Sequence, residues 1–238
     1  YALQPQTKEE FIKTVTEDLE ETPAYFSINA QINKEGYHHL EDVKSKGLIP
    51  LSIKEFKEKM QSGCLILDTR KAIDFTQGFI PDSVFIGLEG RFAEWAGSLL
   101  SFEQPIILVT PDGKEEETVV RLARVGFGKV EGYLKGSFDA WKSAGANWDL
   151  IIDIEADELA MDIPFDDHIT VLDVRKLNEF AEGHVKDAVN LPLAEMTDVA
   201  QIAQLEENQN IYIHCASGYR SVIAASLLKR QGYHNLRN

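Results

Sequence analysis

An internal repeat constrains this chain more than any other feature. Leu67-Asp68-Thr69-Arg70 returns as Leu172-Asp173-Val174-Arg175, and Phe75, Gly78, Asp82 and Val84 return as Phe180, Gly183, Asp187 and Val189, each pair 105 positions apart. Ile106-Ile107-Leu108 keeps that offset to Ile211-Tyr212-Ile213, whereas Gly126-Phe127 matches Gly232-Tyr233 at 106. The first copy is therefore one residue short between a strand and the end of the following helix. A chain of 238 residues has room for two compact domains of roughly 100 residues each and a shorter extra piece.

Each copy alternates short β-rich runs, such as Leu65 to Leu67 and Thr170 to Leu172, with helical stretches such as Val222 to Arg230, which stops at Gly232. The β-rich runs are apolar throughout instead of alternating with polar residues. That pattern belongs to parallel strands buried on both faces. The expected class is α/β, with two domains that each have a parallel central sheet and helices on both faces. Their expected spans are 49–149 and 150–238, and residues 1–48 match neither copy. Those first residues contain a helical stretch, Lys8 to Leu19, followed by polar, turn-rich sequence. The first copy continues through Val130 to Gly136 into a helix around Phe138 to Ser143; the second stops at Leu236-Arg237-Asn238, which leaves it C-terminally incomplete.

The net charge of -15 argues against nucleic acid as a partner, because affinity for phosphate backbones comes largely from Lys and Arg. No apolar run approaches the roughly 20 residues of a membrane helix, and the N-terminus lacks a signal-peptide pattern, so a cytoplasmic, non-membrane protein is expected. Two cysteines make neither a disulfide framework nor a zinc spacing. Cys64 precedes a strand with nothing cradle-like beside it and is read as a packing residue. The neighbours His38 and His39 do not converge on one ion. No metal and no cofactor are expected in this chain.

The candidate site is His214-Cys-Ala-Ser-Gly-Tyr-Arg-Ser221. A strand ending at His214 and a helix starting near Ser221 leave Cys215 to Arg220 as a tight loop at the carboxyl end of a parallel strand, where open α/β sheets place their ligands. Such a loop aims successive backbone N–H groups and the positive end of the helix dipole at one point, favouring an anion. Gly218 permits the curl, Arg220 adds positive charge, and Ser217 and Ser221 offer hydroxyls. The same field lowers the thiol pKa, which makes Cys215 a nucleophile without a partner base. Ala216 and Tyr219 line the loop. Asp173 and Arg175 are expected to hold its wall together, with Arg175 within reach of substrate, and His184 and His214 are given structural roles.

Asp173-Val-Arg175, Glu179-Phe180, Gly183-His184-Val185, Ala188-Val-Asn190-Leu-Pro192 and Cys215 to Ser221 together resemble a rhodanese domain. The resemblance covers roughly residues 49 to 238. It implies transfer of sulfane sulfur from a small anionic donor, thiosulfate or a low-molecular-weight persulfide, through a Cys215 persulfide to a thiol or cyanide. The first copy has Thr110-Pro-Asp-Gly-Lys-Glu-Glu116 in place of the cysteine loop. It is read as one residue shorter in that loop and catalytically dead, resembling a pseudo-rhodanese. Pro23-Ala-Tyr-Phe26 and Asn33-Lys-Glu-Gly36 are similar to the tail of metallo-β-lactamase-fold persulfide dioxygenases fused to rhodanese domains, which implies such a domain as a fused or associated partner. Association into a homo-oligomer is compatible with this reading.

Two alternatives stay open at this point. A phosphatase or arsenate reductase of the same fold would use a Cys-x5-Arg loop, but only four residues separate Cys215 from Arg220. A non-catalytic regulatory module would leave Cys215 inert.

Overall fold

The computed structural model describes residues 7–16, 25, 26, 30, 34, 40–206 and 208–238. Pro23, Asn33, Gly36, His38 and His39 lie outside them. The first sheet contains β1 (Pro50–Leu51), β2 (Leu65–Asp68), β3 (Val84–Phe85), β4 (Ile106–Val109) and β5 (Val130–Leu134), all parallel, in the order β1-β5-β4-β2-β3. The second contains β6 (Ile169–Asp173), β7 (Val189–Asn190), β8 (Asn210–His214) and β9 (Leu236–Arg237), also parallel, in the order β7-β6-β8-β9. An isolated parallel bridge from Ile152 to Arg237 takes the place that β1 has in the first sheet.

The repeat survives as register. Leu67 pairs with Val84 as Leu172 pairs with Val189, and Ile66 with Ile107 as Val171 with Tyr212. All four residues of β2 are buried, as expected of a strand covered on both faces. Asp82 and Asp187 share a left-handed conformation, with φ of 66° and 61°. Aspartate tolerates that region better than most residues, so the pair marks the same tight turn before β3 and β7.

One apolar cluster runs through both halves. At their junction the helix Tyr219–Arg230 of the second half lies on β3, the edge strand of the first sheet. The backbone N–H of Ile86 points inward to the Asp68 carbonyl, so that of Phe85 points outward, and it donates to Ser226 Oγ at 3.0 Å. Both residues are buried, so the exposed edge of the sheet is closed by a side chain of the other domain. Lys229 and Asp149, 2.9 Å apart, and the Thr76 hydroxyl donating to Asp153 tie the junction further.

Packing extends ahead of the expected domain start at residue 49. The helix Leu40–Gly47 packs on the helix Glu115–Arg124 and on β5, with Val43 in the core. A Cβ on Gly47 would meet both Val119 methyls at 2.9 Å, so the missing side chain is what allows the close approach. A segment with no counterpart in the repeat thus forms part of the first domain's packing. Among the described residues, no helix is long and apolar enough to cross a membrane, and no group of three potential metal ligands converges.

Removing the Ser226 hydroxyl orphans a buried N–H. Ser226→Ala is expected to lower unfolding free energy by about 1–3 kcal/mol. Urea denaturation should show it as a lower midpoint at unchanged slope.

Candidate active site

β8 ends at His214, and Gly218, with φ 82°, turns the chain into the helix Tyr219–Arg230. Within this curl Cys215 is half-buried, and its thiol donates to Ser221 Oγ at 3.5 Å. The Ser221 hydroxyl in turn donates to the Gly218 carbonyl at 3.1 Å. Burial alone would push the thiol pKa up. When the thiol ionises, the Ser221 hydroxyl can turn its proton from the Gly218 carbonyl to the sulfur; together with the backbone N–H groups of Ser217, Ser221 and Gly218 it outweighs burial and holds the pKa below the ordinary thiol value. The loop is a cradle for a charged sulfur built mainly from neutral donors.

Cys215 borders an open depression of about 360 Å³, lined also by Arg175, Gly183, His184, Val185 and His214. Arg175 spans Asp173 with Nε at 3.0 and 2.9 Å from the two carboxylate oxygens and Nη2 at 2.7 Å, and Nη2 also donates to the Gly183 carbonyl at 2.7 Å. It forms the wall of the depression with its charge already paired. His184 stacks on Phe180 at 3.8 Å and is held through Nδ1 by the Phe180 carbonyl. His214 Nε2 is buried without a hydrogen-bond partner, 3.7 Å from Asp173. Burial pushes the His214 pKa down, so at neutral pH it is an uncharged ring beside the thiol.

Two of the expected site residues are placed differently. Arg220, expected to add positive charge to the loop, closes a bidentate pair with Glu179, Nη1 to Oε2 at 2.6 Å and Nη2 to Oε1 at 2.8 Å. The Arg220 guanidinium holds Glu179 at about 2, well below the usual carboxyl value. Tyr219, expected to line the substrate space, turns away from it and donates to the Gly87 carbonyl of the first domain at 2.7 Å. Ala216 and Ser217 are exposed on the outer turn of the loop, and Ser221 is buried beneath the sulfur. Sequence reasoning missed Glu179 as the partner of Arg220. The available signal was an acidic residue within the same motif-bearing helix, but nothing local connects it to a residue 41 positions away.

The first copy differs at this loop. Thr110, buried, stands at the cysteine position, 105 before it. Its loop is not shorter, contrary to the sequence expectation: Gly113, φ 76°, keeps the 105 offset to Gly218. The missing residue falls within the following helix, where the offset passes from 105 between Glu115 and Arg220 to 106 between Arg124 and Arg230. Glu115, at the position of Arg220, accepts from the Gly113 N–H at 3.2 Å, so the loop's own carboxylate occupies a donor that an anion would need.

Ser221→Ala removes the main group favouring the thiolate. The midpoint of the pH dependence of Cys215 alkylation should rise, each unit slowing the reaction at neutral pH about tenfold. The Glu179 pKa, about 2 when folded against an ordinary 4.5, is depressed, so its stabilisation is complete above pH 4.5 and lost as pH falls toward 2. Melting temperatures over that range should fall more steeply for wild type than for Glu179→Gln.

The sequence matches the rhodanese-like domain family twice, over residues 52–144 and 155–238. It is 35% identical over 88 residues to a candidate sulfur carrier protein of Bacillus subtilis and 30% identical over 67 residues to a thiosulfate sulfurtransferase of Escherichia coli. These matches take in 37% and 28% of this chain, and 46% and 64% of the relatives' own lengths. The chain therefore spans only about half to two thirds of the length of these two relatives. A thiosulfate sulfurtransferase of Pseudomonas aeruginosa aligns with 83% of this chain and 44% of its own at 16% identity, with a TM-score of 0.37. With two matches covering most of its length, each coinciding with one of the two parallel sheets, the chain belongs to the rhodanese-like family.

Proposed function

We propose that the second domain is a sulfurtransferase that carries sulfane sulfur on Cys215, and that the first is a non-catalytic copy. The observation that carries this reading is Cys215 lining an open depression, its thiol held below its ordinary pKa by one hydroxyl and three loop N–H groups. The Cys215 thiolate attacks the outer sulfur of thiosulfate or of a low-molecular-weight persulfide. The S–S bond of the donor breaks, and sulfite or a thiolate leaves with the electron pair. The new persulfide anion on Cys215 is stabilised by the same donors until a thiol or cyanide attacks its terminal sulfur and regenerates the thiolate.

The phosphatase reading loses ground on one contact. Glu179, paired with Arg220 through both terminal nitrogens, neutralises the loop arginine's charge and sets a carboxylate beside it, where a doubly charged phosphoryl group would be repelled. We also place the chain in persulfide or sulfide metabolism, beside a metallo-β-lactamase-fold dioxygenase domain that is fused to it or associated with it. That part rests on the resemblance of Pro23 to Phe26 and Asn33 to Gly36.

Intact-mass measurement tests the assignment. Wild type incubated with thiosulfate or glutathione persulfide should gain about 32 Da, one sulfur, and lose it on adding cyanide or thiol, while Cys215→Ser gains nothing. The absence of an adduct from both donors would sink the sulfurtransferase reading.

A further inference from the structure

We propose that Tyr219 is a positioning residue through which the cysteine-less domain fixes the curl of the Cys215 loop, and so sets how readily that thiol ionises. The proposal rests on the sulfurtransferase reading only for what the thiolate is used for. Its geometry stands apart from it.

Tyr219 is the first residue of the helix that follows Gly218, between the N–H groups of Gly218 and Ser221 that stabilise the sulfur. Its side chain runs out of its own domain. The ring meets Phe85 edge-on at 6.1 Å, and the hydroxyl donates to the Gly87 carbonyl at 2.7 Å. Two glycines make the slot: a Cβ on Gly87 would lie 3.2 Å from Tyr219 Cε2, and one on Gly90 3.5 Å from Cζ.

The receiving wall is itself held from three sides. The Ile86 N–H donates to the Asp68 carbonyl at 2.9 Å, the Leu88 N–H to the Thr69 carbonyl at 3.0 Å, and Arg121 Nη1 to the Leu88 carbonyl at 2.6 Å. A fixed acceptor on one domain thus grips the first turn of the helix that carries the cradle on the other. Burial pushes the phenol pKa up, so the hydroxyl remains a donor at every pH at which the thiol titrates. Ser226, two turns along the same helix, anchors it to β3, but far from the loop.

The repeat points the same way. Lys114 stands 105 positions before Tyr219, in the copy without a cysteine, and pairs with Glu117 on its own helix at 2.8 Å. The grip across the junction belongs to the loop that carries the thiol. Without the hydroxyl, the first helical turn is free to rotate and the loop N–H groups lose their aim at the sulfur. Preorganised donors act through such alignment.

The test compares Tyr219→Phe, which keeps the ring, with Ser226→Ala, which weakens the same junction away from the loop, both in the full chain with Cys64→Ser so that one thiol remains. Iodoacetamide alkylation against pH reads the thiol directly. Tyr219→Phe should move its midpoint up by about half to one unit, slowing alkylation at pH 7 about three- to tenfold, while Ser226→Ala lowers the melting temperature at least as much and leaves the midpoint in place. Coincident profiles for Tyr219→Phe and wild type overturn the proposal, as does an equal shift from Ser226→Ala. Alkylation requires no sulfur donor, so a shifted profile in a protein that takes up no sulfur would reject the sulfurtransferase reading and leave the positioning role standing.

Discussion

A carboxylate buried at the carboxyl end of the central strand, and answered by an arginine two residues later, is the interaction on which both domains depend. Asp68 and Asp173 have no exposed surface, and a charge so placed is tolerable only when paired and hydrogen-bonded. Arg70 and Arg175 meet that demand with matching geometry, each gripping its aspartate through Nε and Nη2 and each extending Nη2 to a glycine carbonyl, Gly78 or Gly183, at 2.8 and 2.7 Å. The end of the strand, the helix after it and the turn beyond are thereby fastened at one point. The stacked pairs Phe75 with Phe79 and Phe180 with His184 recur at matching positions, Phe79 and His184 each directly following the glycine that the arginine holds. In the second domain the same arginine is the wall beside the sulfur, so the site takes its shape from a structural clamp.

The clamp also determines the kind of electrostatics the site can use. With Arg175 committed to Asp173 and Arg220 to Glu179, both guanidinium groups near Cys215 are paired. On a chain of net charge -15, long-range attraction of anions is correspondingly weak. What remains is short-range: N–H dipoles and a hydroxyl aimed at one sulfur atom, effective only on contact and only if their directions are kept. A site of this kind depends on the rigidity of its loop more than on its net charge. That explains why Gly218 must take a left-handed turn and why the helix start needs an anchor.

The fold was legible because its determinants are local and occur twice. Apolar runs named the parallel strands, and the offset of 105 carried the register and the aspartate turns at Asp82 and Asp187 with it. The loop around Cys215 was legible for the same reason, since a strand, a glycine and a helix adjoin in sequence. What escaped are contacts that no local pattern encodes. The Tyr219 hydroxyl finds its acceptor 132 residues earlier, and the Arg220 guanidinium finds Glu179 41 residues earlier. In both cases the residue type suggested substrate, because an exposed arginine or tyrosine in a ligand loop usually faces one, and tertiary packing redirected the side chain. The helix Leu40–Gly47 escaped because it lies outside the repeat and shows its role only through Val43 and the bare Cα of Gly47.

The two copies diverge where chemistry would occur and agree where the clamp acts. The first domain keeps the buried aspartate, its arginine, the stacked aromatics and the left-handed glycine, yet replaces the thiol by a buried threonine and fills a loop N–H with the carboxylate of Glu115. The first domain nevertheless presents a buried sheet edge at Phe85 and a carbonyl at Gly87. Both are turned toward the second domain, where Ser226 and Tyr219 receive them. The duplicated unit thus gives the helix Tyr219–Arg230 two acceptor and donor contacts from outside its own domain, one at its first residue and one two turns further on.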